Sequence, residues 1–227
     1  MNKPIIFVGP SLDVQKARKI FNADYRPPAK KGDLIGLLSG SKDADPMIVG
    51  LIDGLFLQDY PPTPIEVYQL VRKSNTLVLG AASLGALRAV ELEKFGMIGI
   101  GKVFELFKLR KFTADDEVAV TFNNETQHLQ SEAMIDIRYN LLIAFKKGVI
   151  DENARRTTAK VAKDMYFPDR NYADIINETE RQFPHLSASM ALLRSFISKN
   201  RRSLKEKDAV RLITLAKMKY ESESASK

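Results

Sequence analysis

Ser83 stands where an apolar run gives way to a helix former, in Thr76-Leu77-Val78-Leu79-Gly80-Ala81-Ala82-Ser83-Leu84-Gly85-Ala86-Leu87-Arg88-Ala89-Val90-Glu91. That order predicts a strand, a tight turn carrying the serine, and a helix beginning at once. Small neighbours let backbone amides approach whatever Ser83 attacks or holds. The first turn of a helix carries unpaired N–H groups and partial positive charge, which suit an oxyanion or a phosphate. Gly85 belongs to that first turn and is a candidate for contact with a bound group. The pattern shares the logic of the hydrolase nucleophile elbow, but it reads Ala-Ser-Leu-Gly after an alanine, where that motif has Gly-x-Ser-x-Gly. The second reading is structural: a closely packed turn whose serine caps the helix. Spacing leaves both readings open.

Composition narrows the chemistry around such a serine. The 227-residue chain has no cysteine, which excludes disulfides, thiolate catalysis and Cys-ligated metal. It has only two histidines, His128 and His185, so a histidine-rich metal site is impossible. A Ser-His-Asp triad would have to use one of these two. Any hydrolysis therefore points to lysine or a carboxylate as base. No Gly-x-x-x-x-Gly-Lys-Ser/Thr loop and no Gly-x-Gly-x-x-Gly fingerprint is present, so no nucleotide cofactor is expected, and no metal site is assigned. Gly96, Gly99 and Gly101 form a glycine run with no clear helix after it.

Other residues have the types and positions for a supporting role. Gly9-Pro10-Ser11 follows the first apolar run and either presents a hydroxyl or caps the next helix. Asp53-Gly54 follows another and either positions a substrate, orients a lysine, or simply turns the chain. Arg88, a turn and a half beyond Ser83, either clamps a carboxylate or pairs with Glu91 or Glu66. Asp115-Asp116-Glu117 offers oxygen ligands to a metal, but adjacent carboxylates more commonly mark a helix start or a solvated ion-pair surface.

These residues need elements to hold them. Apolar runs at 5–8, 47–52, 77–80 and 97–103 read as strands, and a short segment at 24–26 ends at Pro27-Pro28. Helical patterns at 12–21, 34–39, 64–73 and 86–94 alternate with them. The expectation is an α/β protein with a largely parallel N-terminal sheet flanked by helices. In such a sheet, ligands gather beyond the carboxyl ends of the strands. Gly9, Pro10, Ser11, Pro27, Asp53, Gly54, Ser83 and the 99–102 region all fall there. From Leu129 onward the pattern is helical, with Met134, Ile137, Leu141, Leu142 and Phe145 at helical spacing and Gly148 as C-cap. Further helices are expected at 152–165, 172–183, 187–199 and 205–220, with a disordered tail at 221–227. The domains are therefore expected at 1–125 and 126–227. The net charge of +7 is concentrated in the last helices, as in Arg194, Lys199, Arg201, Arg202, Lys205, Lys207 and Arg211. That surface suits an acidic protein or a nucleic acid, although a solvated helical face is the commoner outcome of such a charge run. Nucleic acid is not expected, because no RNA-binding aromatic motif accompanies it. No apolar run is long enough for a membrane span, and the N-terminus does not read as a signal peptide, so an intracellular, cytoplasmic protein is expected.

Taken together, the chain resembles the TfuA-like family. The resemblance rests on Phe7-Val8-Gly9-Pro10-Ser11, Pro27-Pro28-Ala29 with Gly32-Asp33, Ile52-Asp53-Gly54-Leu55-Phe56, the stretch from Gly80 to Glu91, Gly96 to Gly101, and Asp115-Asp116-Glu117-Val118-Ala119. Some members have His-Lys-Glu where this chain reads Pro64-Ile65-Glu66, so only Glu66 carries over there. The resemblance implies a partner of a YcaO enzyme in ATP-dependent thioamidation of a peptide backbone. It implies sulfide delivery by hydrolysis of a thiocarboxylated, ubiquitin-like ThiS-type carrier through a serine–lysine pair, and help in binding the YcaO peptide. One branch acts on methyl-coenzyme M reductase, and the Pro-Ile-Glu-Val-Tyr variant and lysine-rich composition are compatible with it. Ser83 would be the nucleophile, with N–H groups of residues 84–86 around the oxyanion. Lys30 and Lys102 are the lysines expected at the sheet edge. An adaptor without catalysis, or a nucleotide-binding module unrelated to sulfur, are the alternative classes.

Overall fold

The computed structural model describes residues 2–40, 47–55, 60–123, 125–126 and 128–225. Five strands and ten α-helices are seen among them: β1 (Ile5–Phe7), α1 (Val14–Ile20), β2 (Asp24–Arg26), α2 (Asp33–Gly40), β3 (Met47–Leu51), α3 (Pro64–Arg72), β4 (Thr76–Ala81), α4 (Leu84–Leu92), β5 (Ile98–Ile100), α5 (Gly101–Lys108), α6 (Met134–Lys146), α7 (Glu152–Asp164), α8 (Tyr172–Gln182), α9 (Ser187–Asn200) and α10 (Leu204–Ala225). They divide into two compact units. One joins Met1–Thr113 to Lys205–Lys227, and the other is Ala114–Leu204.

In the first unit all strand pairs are parallel, in the order β2-β1-β3-β4-β5. This is a doubly wound sheet whose strand order reverses between β1 and β3. The α/β sheet and the helical remainder agree with the fold class expected from the sequence. β3 reads Met-Ile-Val-Gly-Leu and is buried at all five positions, as a strand covered on both faces must be. α3 starts at a capping box, with Thr63 accepting from Glu66 N–H, and with Pro64 in its first turn. α1 is capped by Asp13, whose side chain accepts from Lys16 N–H, not by Ser11.

One sheet face packs Ile6, Ile48, Ile52, Leu79 and Ala81 against Leu12 and Ala17 and against Ala209, Leu212, Ile213 and Ala216 of α10. The last helix is therefore part of the α/β unit. This differs from the division expected at 125/126: the first segment ends at 113, and the chain returns to it at 205. The apolar spacing of α10 announces a buried stripe but not the surface that buries it.

Asp208 of α10 also ties this helix to α5. Its carboxylate accepts Val103 N–H at 2.7 Å, and burial pushes its pKa up. It lies against Gly101, which has φ +91; a Cβ there would come within 2.2 Å of the Asp208 Cγ. Only glycine combines that backbone with that approach. α5 begins at this glycine, so the strand expected over 97–103 ends at Ile100, and the glycine run does lead into a helix.

The second unit buries Met134, Ile137, Leu141, Ile175, Ile176, Met190 and Leu193 between its helices. The expected tail is partly helical. α10 continues to Ala225, with the Ser222 and Ser224 hydroxyls donating back to the carbonyls of Lys219 and Tyr220. Residues 226–227 of that tail and Phe56 of the motif at 52–56 lie outside the described residues.

Candidate functional site: the serine turn at the carboxyl edge

The turn after β4 is strained. Ala82 has φ +65, and Ser83 N–H donates to the Ala81 carbonyl at 2.8 Å, closing a three-residue γ-turn. Left-handed backbone at a residue other than glycine costs about 1–3 kcal/mol and persists only where the surroundings hold it. Here the fully buried Ala82 methyl is held in the apolar cluster. α4 starts immediately afterwards, and Ser83 occupies its N-cap position without a side-chain capping bond. Its backbone carbonyl accepts Ala86 N–H at 2.9 Å. Of the two readings left open by the sequence, geometry removes the cap.

Close packing explains the small residues. A Cβ on Gly85 would lie 1.7 Å from the Leu51 carbonyl oxygen, and one on Gly80 would lie 2.2 Å from the Gly85 carbonyl oxygen. Gly85 N–H donates to the Ile52 carbonyl at 3.2 Å. The expectation of three oxyanion donors at 84–86 is thus corrected. Gly85 and Ala86 N–H already have backbone acceptors, which leaves Leu84 N–H.

The neighbouring loops meet this turn. Asp53 is 1% exposed; it accepts Gly9 N–H at 2.9 Å, Ser11 N–H at 3.0 Å and the Ser11 hydroxyl at 2.6 Å. This carboxylate fixes the loop after β1, at the point where the strand order reverses, and its bonds go to Gly9 and Ser11, not to a lysine. Pro10 lies within the same loop. Gly54 forms a bridge with Ala29, and a Cβ on it would collide with Leu84 at 2.1 Å. The structure therefore brings residues 9–11, 53–54 and 83–85 together, as strand topology predicts.

The other expected residues are placed differently. Arg88 donates through Nε to the Pro62 carbonyl at 3.0 Å and through a terminal guanidinium nitrogen to Glu91 at 3.0 Å. It pairs with Glu91 and not Glu66. Glu66, 3% exposed, accepts Gly32 N–H at 2.8 Å and so braces the loop that bears Lys30. Lys30 itself is exposed. Lys102 is exposed too, and its ammonium is 2.8 Å from Glu105, a hydrogen bond that holds the Glu105 carboxyl below its usual range.

The carboxylates at 115–117 belong to the second unit, where Asp116 and Glu117 make ion pairs and Asp115 is exposed. Glu117, 3% exposed, accepts both Arg138 Nε at 2.9 Å and a second guanidinium nitrogen at 3.1 Å. Asp116 accepts from Lys163 and from Arg170, whose side chain is 2% exposed. Burial raises the pKa of Asp116, but these hydrogen bonds outweigh it and hold the carboxyl below its usual range. Among the described residues, no group of three or more histidine, cysteine or carboxylate side chains could hold a metal.

Fold and turn together define a doubly wound α/β protein with an uncapped serine at the carboxyl edge of its sheet. The family model for TfuA-like proteins matches residues 53–171, just over half of the chain, and the chain belongs to that family. This family is associated with YcaO-dependent thioamidation. No curated protein matches the chain. The match includes Asp53, Ser83, Arg88, Lys102 and Asp116, and leaves residues 9–11, Lys30 and α10 outside. No helix among the described residues is long and apolar enough to cross a membrane.

Proposed function

We propose that this protein releases sulfide for a YcaO partner by hydrolysing the thiocarboxylated C-terminus of a ThiS-type carrier, and that it helps YcaO engage its peptide. The observation that carries this reading is the Ser83 side chain, placed by a strained γ-turn at the carboxyl edge and not used to cap α4. The absence of cysteine supports it: the chain cannot carry persulfide, so a sulfur role reduces to releasing or positioning a donor.

In this reaction Ser83 Oγ attacks the carbonyl carbon of the carrier's terminal glycine thiocarboxylate. A base removes the hydroxyl proton, and Leu84 N–H is the available backbone donor for the oxyanion. The C–S bond then breaks, hydrosulfide leaves, and water clears the acyl-serine. A terminal glycine suits a serine that is only 3% exposed, because it brings no side chain. A lysine base must be neutral, against an ordinary pKa of about 10.4. Lys30 and Lys102 are the edge lysines first expected in that role.

The test is hydrosulfide release from thiocarboxylated carrier, wild type beside Ser83→Ala. Release by wild type alone, with carrier binding retained in both, supports the hydrolase. Release by both removes Ser83 from the mechanism. Release by neither, with YcaO still stimulated when free sulfide is supplied, makes the protein an adaptor.

A further inference from the structure

In the loop at 29–33 every backbone donor is held. Ala29 N–H donates to the Asp53 carbonyl at 2.9 Å, Lys30 N–H to the Asp33 carboxylate at 2.9 Å, and Lys31 N–H to the Tyr60 carbonyl at 2.8 Å. Gly32 N–H donates to Glu66 Oε2 at 2.8 Å, and Asp33 N–H to the Lys30 carbonyl at 3.1 Å. Connecting segments commonly run over the surface and move more than the elements they join. This one presents an exposed lysine, Lys30, on fixed backbone. Among the described residues no carboxylate pairs with the Lys30 side chain, whereas Lys102 is bonded to Glu105.

Contacts at Gly54 join this loop to the serine turn. Ala29 bridges to Gly54, and its carbonyl accepts Leu55 N–H at 3.0 Å. A Cβ on Gly54 would lie 3.2 Å from the Ala29 carbonyl oxygen and 2.1 Å from a Leu84 methyl carbon. The residue before Lys30 and the residue after Ser83 thus pack on the same glycine. Glu66 ties the loop to α3. It is 3% exposed, a costly place for a carboxylate unless its oxygens are bonded. The capping box does not account for that burial. Oε1 is 3.4 Å from both the Thr63 nitrogen and the Thr63 hydroxyl, while Oε2 takes the much shorter bond from Gly32 N–H. The other loop amides go to backbone carbonyls or to Asp33 within the loop. Among the described residues Glu66 is therefore the only side chain from outside the loop that accepts from its backbone.

We propose that Glu66 is a positioning residue for Lys30, holding the loop at 29–33 so that this lysine serves Ser83. This rests on the hydrolase reading above and takes Lys30 as the lysine that works with the serine. Glu66 bonds to the loop backbone and acts through it. Its contribution is orientation, and a displacement of about 1 Å at a reacting group can cost about 100-fold in rate.

The test is steady-state hydrosulfide release from thiocarboxylated carrier by the full chain, with urea midpoints and hydrogen exchange of residues 29–33 measured on the same variants. Glu66→Ala is expected to lower kcat about 100-fold with KM near wild type, and to speed exchange in the loop. Glu66→Gln keeps an acceptor for Gly32 N–H and a residue that a capping box accepts, so it should recover most of the rate. Thr63→Ala separates bracing from capping: it should lower the urea midpoint and leave kcat unchanged. Lys30→Met, a change at an exposed side chain, should lose at least as much kcat as Glu66→Ala, and it tests the lysine even where Glu66→Ala does not fold. Wild-type kcat in Glu66→Ala or in Lys30→Met, or a kcat loss in Thr63→Ala equal to that in Glu66→Ala, would overturn the proposal while the hydrolase reading stands. No release by folded wild type would overturn the hydrolase reading and this role together, even where Glu66→Ala still loosens the loop.

Discussion

The serine turn and the carboxylate cluster are the two polar features that the sequence makes most conspicuous, and the fold treats them in opposite ways. Asp116 and Glu117 meet Arg138, Lys163 and Arg170, so their charges are matched inside the second unit. Ser83 is as buried as Glu117, yet its side chain takes no part in capping the helix that it begins. Burial alone does not tell the two polar groups apart. The destination of their hydrogen bonds does, because a saturated group has nothing left to offer a ligand.

Substitutions at the two places should therefore fail in different assays. Ser83→Ala should lower hydrosulfide release by at least about 1,000-fold, while its urea midpoint stays near wild type because no capping bond is lost. Undiminished release would erase the contrast. Arg170→Met should do the reverse: removal of one partner from a buried pair costs about 3 kcal/mol or more, visible in urea unfolding of a protein whose Ser83 remains in place. Gly85→Ala tests the packing beneath the serine. A Cβ 1.7 Å from a backbone carbonyl forces α4 away from β3, and a loss of about 3 kcal/mol is expected. A neutral effect would show that α4 is free to shift.

Acid provides a finer comparison. Asp116 is held below its ordinary 3.8, so its contribution is fully present above that value and is lost as pH falls through the lower native value. Arg170→Met removes one of the bonds that lower it, and the acid loss of stability should begin at a higher pH. Urea midpoints from about pH 6 to about pH 3 check this; an unchanged acid limb would show that Lys163 alone sets the carboxylate. The smallest effect is expected at Ala82→Gly. Relief at φ +65 offsets the lost buried methyl, and stability should change by less than about 1 kcal/mol. A large loss would mean that the turn depends on the methyl more than on its backbone.

Much of this was legible in the chain. Apolar runs ending at Gly9, Asp53 and Ser83 place those residues at strand ends, and parallel topology brings strand ends together. Hydrophobic periodicity located α6 and the helices that follow it. What escaped was pairing across long separations. Arg88 had Glu66 and Glu91 within equal sequence logic, and only packing chose Glu91 and the Pro62 carbonyl. Ser11 had the composition of a cap, but Asp53, 42 residues away, took its hydroxyl. The glycine run ending at Gly101 looked unattached to a helix because the group that meets the start of that helix, Asp208, lies 105 residues from Val103.

The sequence by itself determined the class of element at most positions, the serine between strand and helix, and the absence of thiol chemistry. These depend on local propensity and composition, which each segment carries alone. The tertiary structure decided that Ser83 does not cap α4, that Asp116 and Glu117 are matched, and that α10 closes over the sheet and buries Lys205. Those outcomes depend on which surface meets which, and an apolar stripe or a charged side chain is compatible with many partners until packing selects one.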